Sequence, residues 1–433
     1  MTMRSILLST LVLATLAGFG TPASAQHTGF GTSRIVQNEP GYKLDITYSG
    51  EIHLNDDDTD IRSISSGGYI DILENTRRDD RRLRIEPGSG GRLVYSYRLN
   101  GKTTDWAEAD RAWYATMILR IARAGIDAEA RAERFTRRGA NALLDEVEAI
   151  GSSGVKTTYM LVLFDKARLS TDELVRAARV AQEIPSSGDR TRVLIASAEQ
   201  SLGAFDAIMP YFDAIRSIPS SGDKTKALVY LAERKMLEEK AAYHAALQAG
   251  ASIPSSGDRA NFLVSLADSR DLDAEYLDVV STVPSSGDKT KVLLHLVERR
   301  LLASRAMYEA AMHTAATIPS SGDRARFLTA AAPAYLEAAR EAFFDAVRGI
   351  PSSGDKMGVL IALLDDTTLE ASSLAMLLET ARSISSSGDK ARVLIAAAPR
   401  VAGNDALVDV YLETANTISS SGDQKRALSA LLN

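Results

Sequence analysis

Ile184-Pro-Ser-Ser-Gly-Asp-Arg190 is the stretch that decides the architecture, because it returns along the chain as Ile218 to Lys224, Ile253 to Arg259, Val283 to Lys289, Ile318 to Arg324 and Ile350 to Lys356. Ile384 to Lys390 and Ile418 to Gln424 carry Ser in place of Pro, and a degenerate first copy, Ile150-Gly-Ser-Ser-Gly-Val-Lys156, lacks the Asp. The repeated glycines at 154, 188, 222, 257, 287, 322, 354, 388 and 422 are separated by 34, 34, 35, 30, 35, 32, 34 and 34 residues. A fixed period of this length marks stacked supersecondary units.

Each period holds two helices and two turns. Five residues after the motif Asp stands a Leu column: Leu194, Leu228, Leu263, Leu293, Leu328, Leu360, Leu394 and Leu428. Before the motif, Leu174, Ala177, Ala181 and Ile184 fall at helical spacing, as do Ile208, Tyr211, Ile215 and Ile218, which marks the apolar face of a second helix. A lone helix pair cannot bury such a face, so the units must stack. The predicted fold is mostly α, an α-solenoid of ~34-residue helix-pair repeats over 151–433.

Within the motif, Ser186 and Asp189 have the spacing of a capping box, the Ser oxygen accepting a free helix N–H and the carboxylate answering in return. A register with Asp189 as N-cap is equally open. Pro185 stops the preceding helix, and Gly188 is read as allowing close approach of the adjacent repeat. The Ser-Ser-Gly-Asp run is helix punctuation, since a phosphate-binding loop requires a Gly-rich run ending in Gly-Lys-Ser/Thr after a strand.

The region before the repeats differs in kind. Lys43-Leu-Asp-Ile-Thr-Tyr48 and Leu93-Val-Tyr-Ser-Tyr97 alternate, with turn signals at Gly67-Gly68, Pro87-Gly88 and Asn100-Gly101. These predict a small antiparallel β-domain over 41–104. Trp106, Trp113, Met117 and Ile121 then start a helical pattern, and two short helices link to the repeats over 105–150. Residues 26–40 read as a flexible leader. Residues 1–25 read as a secretory signal peptide: Arg4 is the positive end, Ile6 to Gly18 the apolar run and Ala23-Ser24-Ala25 the cleavage site. A periplasmic or secreted protein with no later membrane span is expected, an uncleaved anchor being the alternative.

Asp57-Asp-Thr-Asp-Ile61, Ser65-Ser-Gly-Gly-Tyr-Ile70, Gly125-Ile-Asp-Ala-Glu-Ala-Arg131 and the Ser-Ser-x-x-acid-Lys pattern of the repeats together resemble a bacterial extracytoplasmic module. That module, a periplasmic β-domain plus helical repeats, is attached to some membrane zinc metallopeptidases of the β-lactam-sensor type. The chain has no His-Glu-x-x-His and no multi-span region, so the resemblance implies a sensor-like or partner-binding module and carries no peptidase activity. The period also resembles that of tetratricopeptide repeats, without their Trp-Leu-Gly-Tyr pattern.

The chain has 433 residues, 50 Lys and Arg against 56 Asp and Glu, a net charge of -6 and no cysteine. Disulfides, thiolate metal sites and a cysteine nucleophile are excluded, and global charge gives a nucleic-acid partner no support. His27, His53, His244, His295 and His313 have no second His at helical spacing, so no metal is assigned. Asn55 to Asp60 starts like a calcium loop but has Ile61 and Gly67 where Gly and Glu are required, and reads as a solvated acidic turn. No catalytic residue and no cofactor is assigned, and the chain is read as a non-enzyme.

One constellation remains. Arg190, Lys224, Lys289 and Arg324 follow the motif Asp, and Arg192, Lys226, Lys291 and Arg326 follow two residues later. Stacking aligns them into a charge ladder. Either the Asp of one repeat pairs with the base of a neighbour, or the strip binds an acidic partner. The expected function is a non-catalytic, exported protein-interaction scaffold with a protein partner, the alternative being a periplasmic sensor for an anionic or cell-wall ligand.

Overall fold

Alternation along the N-terminal strands puts Leu44, Ile46, Ile70, Ile72, Leu83 and Ile85 on one face, which has to be covered. The computed structural model describes residues 12–14, 23–28, 32–105, 108–365 and 369–432. Its strands are β1 (Val12–Ala14), β2 (Ala23–Thr28), β3 (Thr32–Glu39), β4 (Tyr42–Ser49), β5 (Ile52–Leu54), β6 (Ile61–Ile64), β7 (Tyr69–Thr76), β8 (Asp80–Pro87), β9 (Leu93–Leu99) and β10 (Lys102–Thr103). Eight of them form one sheet in the order β1-β2-β3-β4-β7-β8-β9-β10, and β5 with β6 makes a separate hairpin. Helix α1 (Glu108–Arg123) covers the apolar face with Tyr114, Met117, Ile118 and Ile121.

Two boundaries differ from the sequence reading. Residues 32–39, placed in the flexible leader, form β3, which pairs with β4 from Thr32↔Ser49 to Glu39↔Tyr42. The reason is the run Ser33-Arg-Ile-Val-Gln37, which buries Ile35 and turns back at Gly41 with φ 81°. Residues 105–150 hold three helices, α1, α2 (Ala128–Arg138) and α3 (Ala140–Ala149). Trp106, Arg4 and most of the apolar run Ile6 to Gly18 lie outside the described residues, while Ala23 to Ala25 lie in β2. No described helix is long and apolar enough to cross a membrane.

The chain divides into two compact units, 1–223 and 224–433, the division falling inside α8 (Ser221–Glu233). In the first unit, α2 stacks on α4 (Ser153–Lys166) and α4 on α6 (Ser187–Leu202), while α3, α5 (Thr171–Gln182) and α7 (Phe205–Arg216) form a second row. Helical stacking therefore starts one pair before residue 151. In that pair Asp127 stands at the N-cap of α2 without a capping bond, its carboxylate accepting from Leu54 N instead.

In the second unit, the helices are α9 (Lys240–Ala251), α10 (Ser256–Ser269), α11 (Ala274–Ser281), α12 (Ser286–Glu298), α13 (Arg305–Ala316), α14 (Ser321–Tyr335), α15 (Arg340–Arg348), α16 (Ser353–Leu364), α17 (Ala371–Ala381), α18 (Ser387–Val401), α19 (Asp405–Ala415) and α20 (Ser421–Leu432). Even-numbered helices from α10 onward stack in one row and odd-numbered ones in the other. The fold is an α-solenoid after a small antiparallel sheet. Leu194, Leu228, Leu263, Leu293, Leu328, Leu360 and Leu394 are all buried, and Leu428, with no described repeat beyond it, is half-buried.

Candidate functional site

The first Ser of the motif is the N-cap. Ser186 Oγ accepts from Asp189 N at 3.2 Å, and Ser285, Ser320, Ser352 and Ser386 repeat the bond. The N–H of the capping Ser goes to another repeat instead of back to the motif carboxylate. Ser285 N donates to Ser256 Oγ at 3.0 Å, and Ser320, Ser352 and Ser386 donate to Ser286, Ser321 and Ser353 at 3.3 Å. The motif thus divides its labour: one Ser caps its own helix and the other accepts from the cap of the next.

The glycine has a different status from the one expected. A Cβ at Gly188, Gly222, Gly322 or Gly388 would meet nothing within 4 Å, so close approach of a neighbouring repeat does not explain it. No contact in the structure accounts for its repetition. Pro185 is not required to stop a helix either, since α17 and α19 end before Ser385 and Ser419, which stand in its place.

The first base of each motif points inward. Arg190 Nε and Nη2 donate to the carbonyl of Ile184 at 3.2 and 2.8 Å, and Nη1 donates to the carbonyl of Ser217, the C-cap of α7, at 2.7 Å. Arg259 and Arg324 repeat this with Thr282 and Gly349. Lys289 Nζ donates to Thr317 Oγ1 at 2.8 Å, and Lys224, Lys356 and Lys390 reach Ser252, Ser383 and Thr417 in the same way. Burial pushes the pKa of these bases down, while the free carbonyls at the negative end of a helix hold the cation in place. Pairing between a motif Asp and the base of a neighbouring repeat does not form among the described residues. The base has a better-placed partner at the helix end, and Asp189, Asp323, Asp389 and Asp423 pair within their own helices.

Where a motif has a second base, that base points outward. Arg192 and Arg326 lie 3.4 and 3.5 Å from Asp189 and Asp323, with more than half of each side chain exposed. Arg392 and Arg426 repeat the pair with Asp389 and Asp423. Lys291 takes another course and donates to Asn261 Oδ1 at 2.8 Å. Of the eight ladder residues, Arg190, Lys224, Lys289 and Arg324 are therefore internal, and Arg192, Lys226, Lys291 and Arg326 lie on the surface.

The surface bases border a feature that the sequence reading missed. Six residues after the motif Asp, Val229, Val264, Leu294, Ile361 and Ile395 make a second aliphatic row beside the Leu column, interrupted by Thr329, and they stay partly exposed. Ten residues after the motif Asp come Glu233, Asp268, Glu298 and Asp365. In the second unit, three grooves of about 500, 460 and 440 Å³ open on this row. The middle one is lined by Val264, Lys291, Leu294, His295, Glu298 and Arg326. His295 Nε2 lies 2.9 Å and Arg299 Nε 3.4 Å from Asp268. A groove on the second row of the first unit is less available, because its Arg176 already spans Asp145 and Glu148.

Two of the stretches that carried the family resemblance supply Asp58, Asp127 and Arg131 to a buried charge cluster between the sheet and the first helices. Arg131, with 1% of its side chain exposed, donates Nε to Asp58 at 2.6 Å and Nη1 to Glu146 at 2.9 Å and Tyr159 at 2.8 Å. Arg134 reaches Asp58 at 2.8 Å and Asp127 at 3.2 Å, and Asp127 also accepts from Leu54 N at 3.0 Å. The segment read as a solvated acidic turn thus buries Asp58, at φ 58°, as an anchor; Asp127 has φ 55°. Asp60 accepts from Tyr114 at 2.8 Å. Among the described residues, no group of three or more His, Cys, Asp or Glu side chains is placed to hold a metal ion. No family model, no curated protein and no solved structure matches this chain.

Proposed function

We propose that this chain is a non-catalytic, exported protein-interaction scaffold that docks its partner on the row of even-numbered helices within residues 224–433. The observation that carries this reading is the partly exposed aliphatic row Val229, Val264 and Leu294, grooved and bordered by bases on one side and acids on the other. The Leu column is buried from Leu194 to Leu394, whereas the second aliphatic row keeps part of its surface open to a partner. Solenoids characteristically use such extended surfaces for binding. The apolar run and small-residue stretch within residues 1–25 support export, and the stretches resembling a periplasmic module agree with it.

Affinity capture from an envelope extract of the source organism tests the reading. The full chain should retain one protein in stoichiometric amount, and Val264→Asp with Leu294→Asp, in a protein whose helical circular dichroism is intact, should lose it. Retention unaffected by the two substitutions overturns the assignment of the row. Retention of a glycan in place of a protein favours the sensor alternative.

A further inference from the structure

The middle groove sets Lys291, His295 and Arg326 against a single acid, Glu298. Its acidic end is Glu298, and the nearby Asp268, outside the lining, is already engaged by His295 and Arg299. At its basic end, Lys291 has no ion pair among the described residues and meets only the neutral amide of Asn261, while Arg326 holds Asp323 at 3.5 Å. Asn261 stands where the repeats on either side place Lys226 and Lys291. The aliphatic floor of Val264 and Leu294 lies between the two ends.

We propose that this groove takes an extended acidic peptide segment, with an aliphatic side chain on Val264 and Leu294 and a carboxylate beside Lys291 and Arg326. The proposal rests on the scaffold reading and names the partner's chemistry. A carboxylate there would receive a charge-assisted bond from a lysine whose charge is otherwise unmatched. Glu298 at the far end disfavours a second carboxylate, which fixes the direction in which the charged side of the segment faces. Packed helices stand roughly 8–10 Å apart and an extended chain advances about 3.1–3.4 Å per residue, so three residues of peptide span one helix. The recognised segment therefore places aliphatic residues three apart on Val264 and Leu294, with an Asp or Glu next to the one that meets Leu294.

The test uses fluorescence anisotropy on the full chain with two labelled peptides, four repeats of the triplet Asp-Leu-Ser and the same peptide with Lys for every Asp. The Asp peptide should bind at least about tenfold more tightly, with an affinity that falls as salt rises. Lys291→Gln, an exposed change, should weaken it by about fivefold or more, and Leu294→Asp should remove it, whereas Arg192→Gln should leave it unchanged. Equal binding of the two peptides, or wild-type affinity in Lys291→Gln, overturns the proposal. If the Asp peptide fails while a captured protein is still lost in Leu294→Asp, the peptide class is wrong and the scaffold reading stands. If nothing is captured, the scaffold reading itself fails.

Discussion

Arg131 and Arg190 are both buried arginines, and they are satisfied in opposite ways. At the sheet-to-helix junction Arg131 sits between two carboxylates, Asp58 and Glu146, that are 73 and 15 residues away in sequence. In the repeats Arg190 faces backbone carbonyls, its own Ile184 and Ser217 at the end of α7. Every repeat owns a helix C-terminus, so the second solution can be copied with the period. The junction joins a sheet hairpin to a helix pair only once, and its charges have to be matched residue by residue.

The largest effect expected from this contrast is at the junction. Arg131→Ala leaves Asp58 and Glu146 buried without their shared cation and should lower the unfolding free energy by about 3–5 kcal/mol in chemical denaturation. Hydrogen exchange should rise in β5 and β6 before α7. Burial works to raise the Glu146 pKa, but the bonds from Arg123 and Arg131 hold it below its ordinary 4.5. Its contribution is thus complete above about 4.5 and is lost as pH falls through the lower folded value. Arg131→Ala should flatten that acid limb, and an unchanged limb would break the comparison.

A smaller loss is expected inside the repeats. Lys289→Ala should lower stability by about 1–3 kcal/mol, since a charged donor is removed from the C-terminus of α13. Lys289→Arg should restore it, because Arg259 and Arg324 fill the same place. Failure of that rescue would show that packing of the lysine stem, rather than the bond to Thr317, is what matters.

The two motif serines sharpen the contrast further. Ser285→Ala removes the cap of α12 and should lose about 0.5–2 kcal/mol, with fraying at Asp288. Ser286→Ala should lose about 0.5–1.5 kcal/mol, and the exchange it provokes should appear at Ser320 in the next repeat. Fraying at the same residue in both variants would contradict the division of labour. The smallest effect has the opposite sign: Gly188→Ala, at an exposed helical position with open space around the new methyl, should gain about 0.4–1 kcal/mol. A loss in thermal melts would assign the glycine a role that the contacts do not show.

How much could be read in advance depended on whether an interaction recurs. The Leu column, the helix pairs and the capping Ser lie within a few residues of one another, and periodicity displayed them at least eight times over. The aliphatic row at Val229, Val264 and Leu294 is also periodic, though broken at Thr329 and Ser429, and it was hidden beside the Leu column because an apolar residue in a helix does not announce which side of the core it faces. The inward turn of Lys289 was less legible still. A base following an acid reads as surface charge until a helix end is seen to cover it.

By itself the sequence determined the solenoid, its period, its core column and the alternating strands of the sheet, since each follows from spacing along a single segment. Tertiary structure alone decided which of two bases in each motif is buried, which serine serves the neighbouring repeat, and that Asp58 leaves its acidic turn to meet Arg131 and Arg134. Those outcomes depend on groups brought together from distant segments, where desolvation and the availability of a partner, and not local propensity, determine the conformation.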